Sequence, residues 1–285
     1  MSVLSIVEQT VRIAVPFLFA ASGGVLAERA GVVSLALEGY MLSGAFTAVV
    51  GAQVTGSAWG GLVAGALGGL LLGGMHALGS LRFKAHQIIM GIALNLFALG
   101  GTALFLKLLY DSSSNSPRVV GFGGDGASTW ANPLLWLGLL SAPMLAWLIA
   151  RTPWGLRVRA VGEHPEAAAS VGVNVVAVRT IAVLGSSVLA ALGGVYLALE
   201  QHQFTARMTA GRGFIALAAV IVGGWRAPRA GLACLFFAAM ETLQIQLQEL
   251  QVIPSQFLSM LPYALTILAT LGLVGRADPP ASLGK

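Results

Sequence analysis

Long stretches without one charged side chain govern what this chain can become. Residues 39–81, 85–106, 126–150, 180–199 and 250–275 carry no Asp, Glu, Lys or Arg, and shorter runs of the same kind fill 13–27, 213–225 and 230–240. A helix crossing the hydrocarbon core of a bilayer needs about 20 mostly apolar residues. The 39–81 run is long enough for two spans and turns within 51–60, where Gln53, Thr55, Gly56 and Ser57 break the apolar pattern. The run after Arg229 continues past Glu241 to about residue 247. The sequence therefore predicts an all-α, polytopic membrane bundle, residues 1–285 forming a single domain, with nine membrane segments of which the first and seventh are short. With charged residues at 9%, against roughly 25% in soluble domains, the chain has too few of them to cover a water-facing surface, which excludes an ordinary soluble enzyme.

The charges that remain are placed rather than scattered. Cations gather at Arg82/Lys84, at Arg151, Arg157, Arg159 and Arg179, at Arg226/Arg229 and at Arg276/Lys285, and the alternate connections hold few. Basic loops mark the cytoplasmic side, so these clusters belong inside, the N-terminus outside and the C-terminus in the cytoplasm of an inner-membrane protein. The net charge of +5 is thus a topology and lipid-headgroup signal, not a nucleic-acid stripe. Glu8 spoils the basic start that a cleaved signal peptide needs. The single cysteine, Cys234, provides neither a disulfide framework nor a thiolate metal cluster.

Ser34 to Gly44 can be set against Gly213 to Gly223, and Gly61-Leu62 against Gly231-Leu232. On the orientation above the two copies run in opposite directions through the membrane. That is an inverted repeat, a transporter signature in which short or broken helices line the path. The 31–39 stretch and the 208–213 lead-in to the seventh segment suit such helices. Ionisable groups at membrane depth are costly and mark either polar contacts or the path; Glu38 and Glu241 are the candidates, with Arg212 and Asn95 beside them. His76 and Asn95 read first as interhelical hydrogen-bond partners. Lys107 lies near a span end and can snorkel. The abundant glycines within the spans read as sites of close helix packing.

Nothing points to catalysis: no phosphate-binding loop, no His-Glu-x-x-His helix and no convergent nucleophile and base are present. Transport must therefore draw on an ion gradient, with Glu38 or Glu241 as the cation or proton site, or on another subunit. The charged segment 151–176 bears on that choice. Pro165 fits a first helical turn, Glu163 and Glu166 complement the N-terminal dipole, Ala167 to Ala169 propagate, and Gly172 supplies a left-handed stop. This predicts a small-faced helix over 163–171, preceded by Arg157 and Arg159, that either docks in a partner's groove or lies solvated against headgroups.

The sequence resembles a family at five places: ERAGVVSLALEG at 28–39, MLSGAF at 41–46, HQIIMGIALN at 86–95, TPWGLRVRAVGEHPE at 152–166 and MTAGRGFIALAAVIVGGW at 208–225. These resemble the permease subunits of bacterial ABC importers, the branch serving nucleosides and simple sugars, related to ribose and branched-chain amino-acid permeases. Ser34 stands where members often have Asn, and His86 where Asp is common. The resemblance implies a second homologous permease, a separate ATPase subunit that binds ATP and magnesium, and an extracellular substrate-binding protein; this chain itself holds no cofactor. It also implies that Arg157, Arg159, Gly162, Glu163, Pro165, Glu166, Ala167 and Ala168 form the ATPase-coupling loop. The substrate would be a neutral polar molecule moved by alternating access past Glu38, Asn95, Arg212 and Glu241. An ion-coupled secondary transporter is the alternative.

Overall fold

A computed structural model describes residues 3–122, 129–249 and 278–284. The helices are α1 (Val3–Arg29), α2 (Leu37–Thr55), α3 (Ala58–Ala77), α4 (Gln87–Tyr110), α5 (Pro133–Arg151), α6 (Pro153–Glu163), α7 (Pro165–Ser170), α8 (Val175–Glu200), α9 (Arg212–Val222) and α10 (Ala227–Glu249). One π-helical turn, Leu78–Arg82, extends α3, and no strand occurs among the described residues.

Local chemistry sets the boundaries. The α2–α3 hairpin turns at Gly56, which takes a left-handed φ of 64°, and Ser57 then caps α3 by accepting from the Trp59 amide. Asn132, Thr152 and Asn174 cap α5, α6 and α8 in the same way, and Pro133 and Pro153 occupy first turns where a missing N–H costs nothing.

Among the described residues six helices are long and apolar enough to cross a membrane: α1, α3 with its π turn, α4, α5, α8 and α10. They correspond to six of the nine expected segments. The α2 helix has the length but carries Glu38, Tyr40 and Gln53, and it is sheltered by its neighbours instead of facing lipid. The α9 helix has only 11 residues. The expected span at 250–275 lies outside the described residues. The first segment is not short, because α1 has 27 residues and includes Glu8, Gln9 and Arg12 ahead of the apolar run.

Small residues set how the helices pack. Gly61, Gly65, Gly69 and Gly73 recur every fourth position on α3 and lie against Leu199, Val195, Ala191 and Ser187 of α8, so the two helices are antiparallel. A methyl group at Gly65 or Gly69 would collide with those side chains. In lipid, where burial gives helices no net drive to associate, such close backbone approach is what dispersion and weak hydrogen bonds require. Pro16 and Gly23 of α1 meet Gly193 and Ser186 of α8 in the same antiparallel sense. The α2 helix crosses α8 where Gly44 meets Ala191 and Gly194 meets Met41. Helices α1, α2 and α8 are thus the centre of the bundle, whereas α4 turns Ile89, Leu96, Phe97 and Leu108 outward.

The bundle has two chemically distinct ends. At one, Arg29 bonds to Trp225, Arg179 to Ala30, and the 281–284 turn to Gly162 and Gly31. At the other, Arg12 and Asn132 share Glu200, Gln9 holds Gln246, and Asn115 pairs with Thr205.

Candidate functional site

After α1 ends at Arg29 the chain turns back as non-helical residues 30–36, and α2 then starts beside Gly24 of α1, inside the bundle. The start of α2 thus leaves N–H groups that no preceding turn can satisfy. Its own N-cap, Ala36, has no side-chain acceptor. Asn95 of α4 supplies one: its Oδ1 accepts from the Gly39 amide at 2.8 Å, while its Nδ2 donates to the Leu35 carbonyl at 2.8 Å. The interhelical reading of Asn95 holds. His76 likewise pairs through Nδ1 with the Tyr40 hydroxyl across α2 and α3, both groups fully buried.

The same problem recurs at α9, which also starts inside the bundle, and there Glu38 solves it. Its Oε1 accepts from the Thr209 hydroxyl at 2.6 Å and the Gly211 amide at 2.9 Å, and its Oε2 from the Gly213 amide at 2.7 Å. A carboxylate at a helix N-terminus combines hydrogen bonds with a favourable dipole interaction. Gly213 permits the approach, since a Cβ there would fall 2.6 Å from the Cα of Glu38. The start of α2 is thereby fastened to the start of α9.

Arg212 and Glu241 form an ion pair at 3.0 Å between α9 and α10, each 21% exposed at the side chain. Arg212 also donates to the Met208 carbonyl at 3.2 Å, and its buried Nε has no partner among the described residues. Glu241 begins a stripe at i, i+3 and i+7 with Gln244 and Gln248, both half-buried. The opposite side of α10 holds α1 through Thr242 with Thr10 and Gln246 with Gln9. The spacing of this Gln stripe is visible in the sequence.

At the basic end, the 151–176 segment is more ordered than expected. Arg157 and Arg159 stand on α6, a full helix, rather than on a loop leading to one. Gly162 is buried and Glu163 is exposed, and both make contacts within the chain. Gly162 lies under the Arg29 carbonyl and accepts from Ser282, and Glu163 pairs with Arg29 at 3.8 Å and accepts from the Ala281 amide at 3.3 Å. The following helix is α7, with Pro165 in its first turn and Gly172 left-handed at φ 85° beyond it. Glu166, Ala167, Ala169 and Val171 are exposed, but Ala168 is buried. The surface offered to solvent is therefore Glu166, Ala167, Ala169, Ser170 and Val171, and Arg157 and Arg159 of α6 are exposed as well. No cluster of His, Cys, Asp and Glu suited to a metal occurs among the described residues.

Comparison with known proteins agrees with this architecture. Residues 6–270 match the family described as the branched-chain amino acid transport system permease component. The guanosine ABC transporter permease protein NupQ of Bacillus subtilis is 37% identical over 98% of this chain and 95% of its own length. The nucleoside ABC transporter permease protein NupC of Lactococcus lactis is 34% identical over 94% of this chain and 92% of its own length. NupP, a guanosine ABC transporter permease protein also from Bacillus subtilis, is 26% identical over 76% of this chain and 67% of its own length. A bundle of lipid-length helices with helix starts inside it, and a match along nearly its whole length, place this chain in the branched-chain amino acid transport system permease-component family of ABC importers.

Proposed function

We propose that this permease carries nucleosides inward across the cytoplasmic membrane. The observation that carries the reading is the end-to-end similarity to a guanosine and a nucleoside permease. The ion-coupled alternative gives way to the family assignment, and the Glu38 carboxylate is already engaged by three donors, which suits a helix cap better than a cation site.

The basic end of the bundle faces the cytoplasm in this reading, with the N-terminus outside, by the rule that cationic loops stay inside. There α6 and α7 present Arg157, Arg159, Glu166 and Ala167 to a separate ATPase subunit, on which ATP and magnesium bind. Ala168 and Pro165 shape the helix rather than touching the partner. An external binding protein delivers substrate at the opposite end. Two distinct guanosine permeases in one organism support pairing with a second, homologous permease. The α2–α3 and α9–α10 hairpins, whose first helices start close together inside the bundle, support an inverted repeat as the frame for alternating access, within nine membrane segments once 250–275 is included. Substrate passes the Arg212–Glu241 pair, while Glu38 and Asn95 hold the helix ends that flank it.

Uptake of labelled guanosine by the complete complex, measured against unlabelled nucleosides and simple sugars, tests the substrate class. Nucleosides should compete and hexoses should not. Competition by glucose alone would overturn the nucleoside reading.

A further inference from the structure

Three groups meet at the cytoplasmic end of α1 in a way that substrate passage does not require. Glu28 is a carboxylate only 3% exposed. It accepts from the Ser34 amide at 3.2 Å, the Ser34 hydroxyl at 2.8 Å and the Trp225 indole N–H. The next residue, Arg29, donates through Nε to the Trp225 carbonyl at 2.8 Å and pairs through Nη1 with Glu163 of α6. Trp225 itself sits in the turn between α9 and α10 with a left-handed φ of 55°, a conformation that costs a bulky residue energy and persists only when its surroundings enforce it. Its indole and its carbonyl are the two points that Glu28 and Arg29 hold.

The connectivity is specific. Ser34 lies on the lead-in to α2, Trp225 ends the α9 turn, and Glu163 ends α6. One dipeptide therefore ties the exposed cytoplasmic helix to both helices that start inside the bundle. A buried carboxylate with three donors is costly to disrupt, so the joint behaves as a rigid unit. We infer that Glu28, Arg29 and Trp225 form the transmission joint that converts movement of α6 into movement of α2 and α9; they are positioning residues and do not touch substrate. This rests on the reading that α6 and α7 meet the ATPase.

The test is the number of substrate molecules imported per ATP hydrolysed by the reconstituted complex of both permeases, ATPase and binding protein. Trp225→Phe keeps an aromatic ring but removes the indole donor; Arg29→Lys keeps the cation but removes the fork that reaches the Trp225 carbonyl through Nε and Glu163 through Nη1 at once. Each variant should assemble and hydrolyse ATP, with the import-to-hydrolysis ratio lowered about tenfold, as for loss of one hydrogen bond to a charged group. An unchanged ratio in an assembled complex overturns the joint. If Trp225→Phe fails to assemble, the ratio for Arg29→Lys decides alone. Failure of the unaltered chain to bind the ATPase would instead refute the docking reading.

Discussion

The carboxylate of Glu38, in the first turn of α2, lies 2.7 Å from the backbone amide of Gly213 and serves as the cap of α9, a helix on which it does not stand. Two helices that start inside the bundle are thereby fixed to each other, and the first test concerns that bond. Glu38→Gln retains one acceptor oxygen and loses the charge. It should lower stability by about 1–3 kcal/mol, read as a lower midpoint in thermal unfolding of the purified complex, and reduce uptake. Unchanged unfolding and uptake would remove Glu38 from the site.

Close backbone packing separates glycines that matter from glycines that do not. Gly194→Ala drives a methyl into the Met41 carbonyl where α2 crosses α8, whereas a methyl at Gly100 of α4 meets nothing within 4 Å. Gly194→Ala should sharply reduce the amount of folded protein in the membrane. Gly100→Ala should be neutral or stabilise by up to about 1 kcal/mol through helix propensity. Quantitative immunoblotting of membrane fractions compares the two.

The Arg212–Glu241 pair gives a charge-exchange test. Either neutralisation alone leaves a half-buried charge unpaired and should cost about 3 kcal/mol. The double variant Arg212→Glu with Glu241→Arg should recover membrane abundance relative to each single exchange. Recovery of abundance without recovery of uptake would show that the pair also guides substrate.

On α7 the two adjacent alanines should behave differently. Ala167 is exposed, so Ala167→Trp should leave insertion and unfolding unchanged while blocking ATPase attachment and coupled uptake. Ala168 is buried, and Ala168→Trp should destabilise the α6–α7 unit itself, by about 1–3 kcal/mol of overpacking. Co-purification with the ATPase distinguishes these outcomes.

Features carried by neighbours in sequence were legible from the chain. The hairpin at Gly56 and Ser57 follows from a local break in apolar pattern, and the α7 helix follows from Pro165, the alanine run and Gly172. What escaped was set by distant partners. Glu38 and Thr209 are separated by 171 positions, so no local pattern identifies Glu38 as the cap of α9, and the sequence assigns it a polar contact or a place on the path without naming the partner. Nor does any local pattern show that Gly162 and Glu163 also contact Arg29 and the 281–284 turn, which lie far away in sequence. The α2 helix read as an ordinary span because composition does not report where along the bundle a helix begins.

The account stands most directly on energy coupling through a separate subunit. Guanosine uptake should be measured in cells carrying this permease, its permease partner and its binding protein, with the co-assembled ATPase either intact or unable to hydrolyse ATP. The account predicts accumulation with the intact ATPase and none above background with the inactive one. Undiminished accumulation without ATP hydrolysis would contradict it.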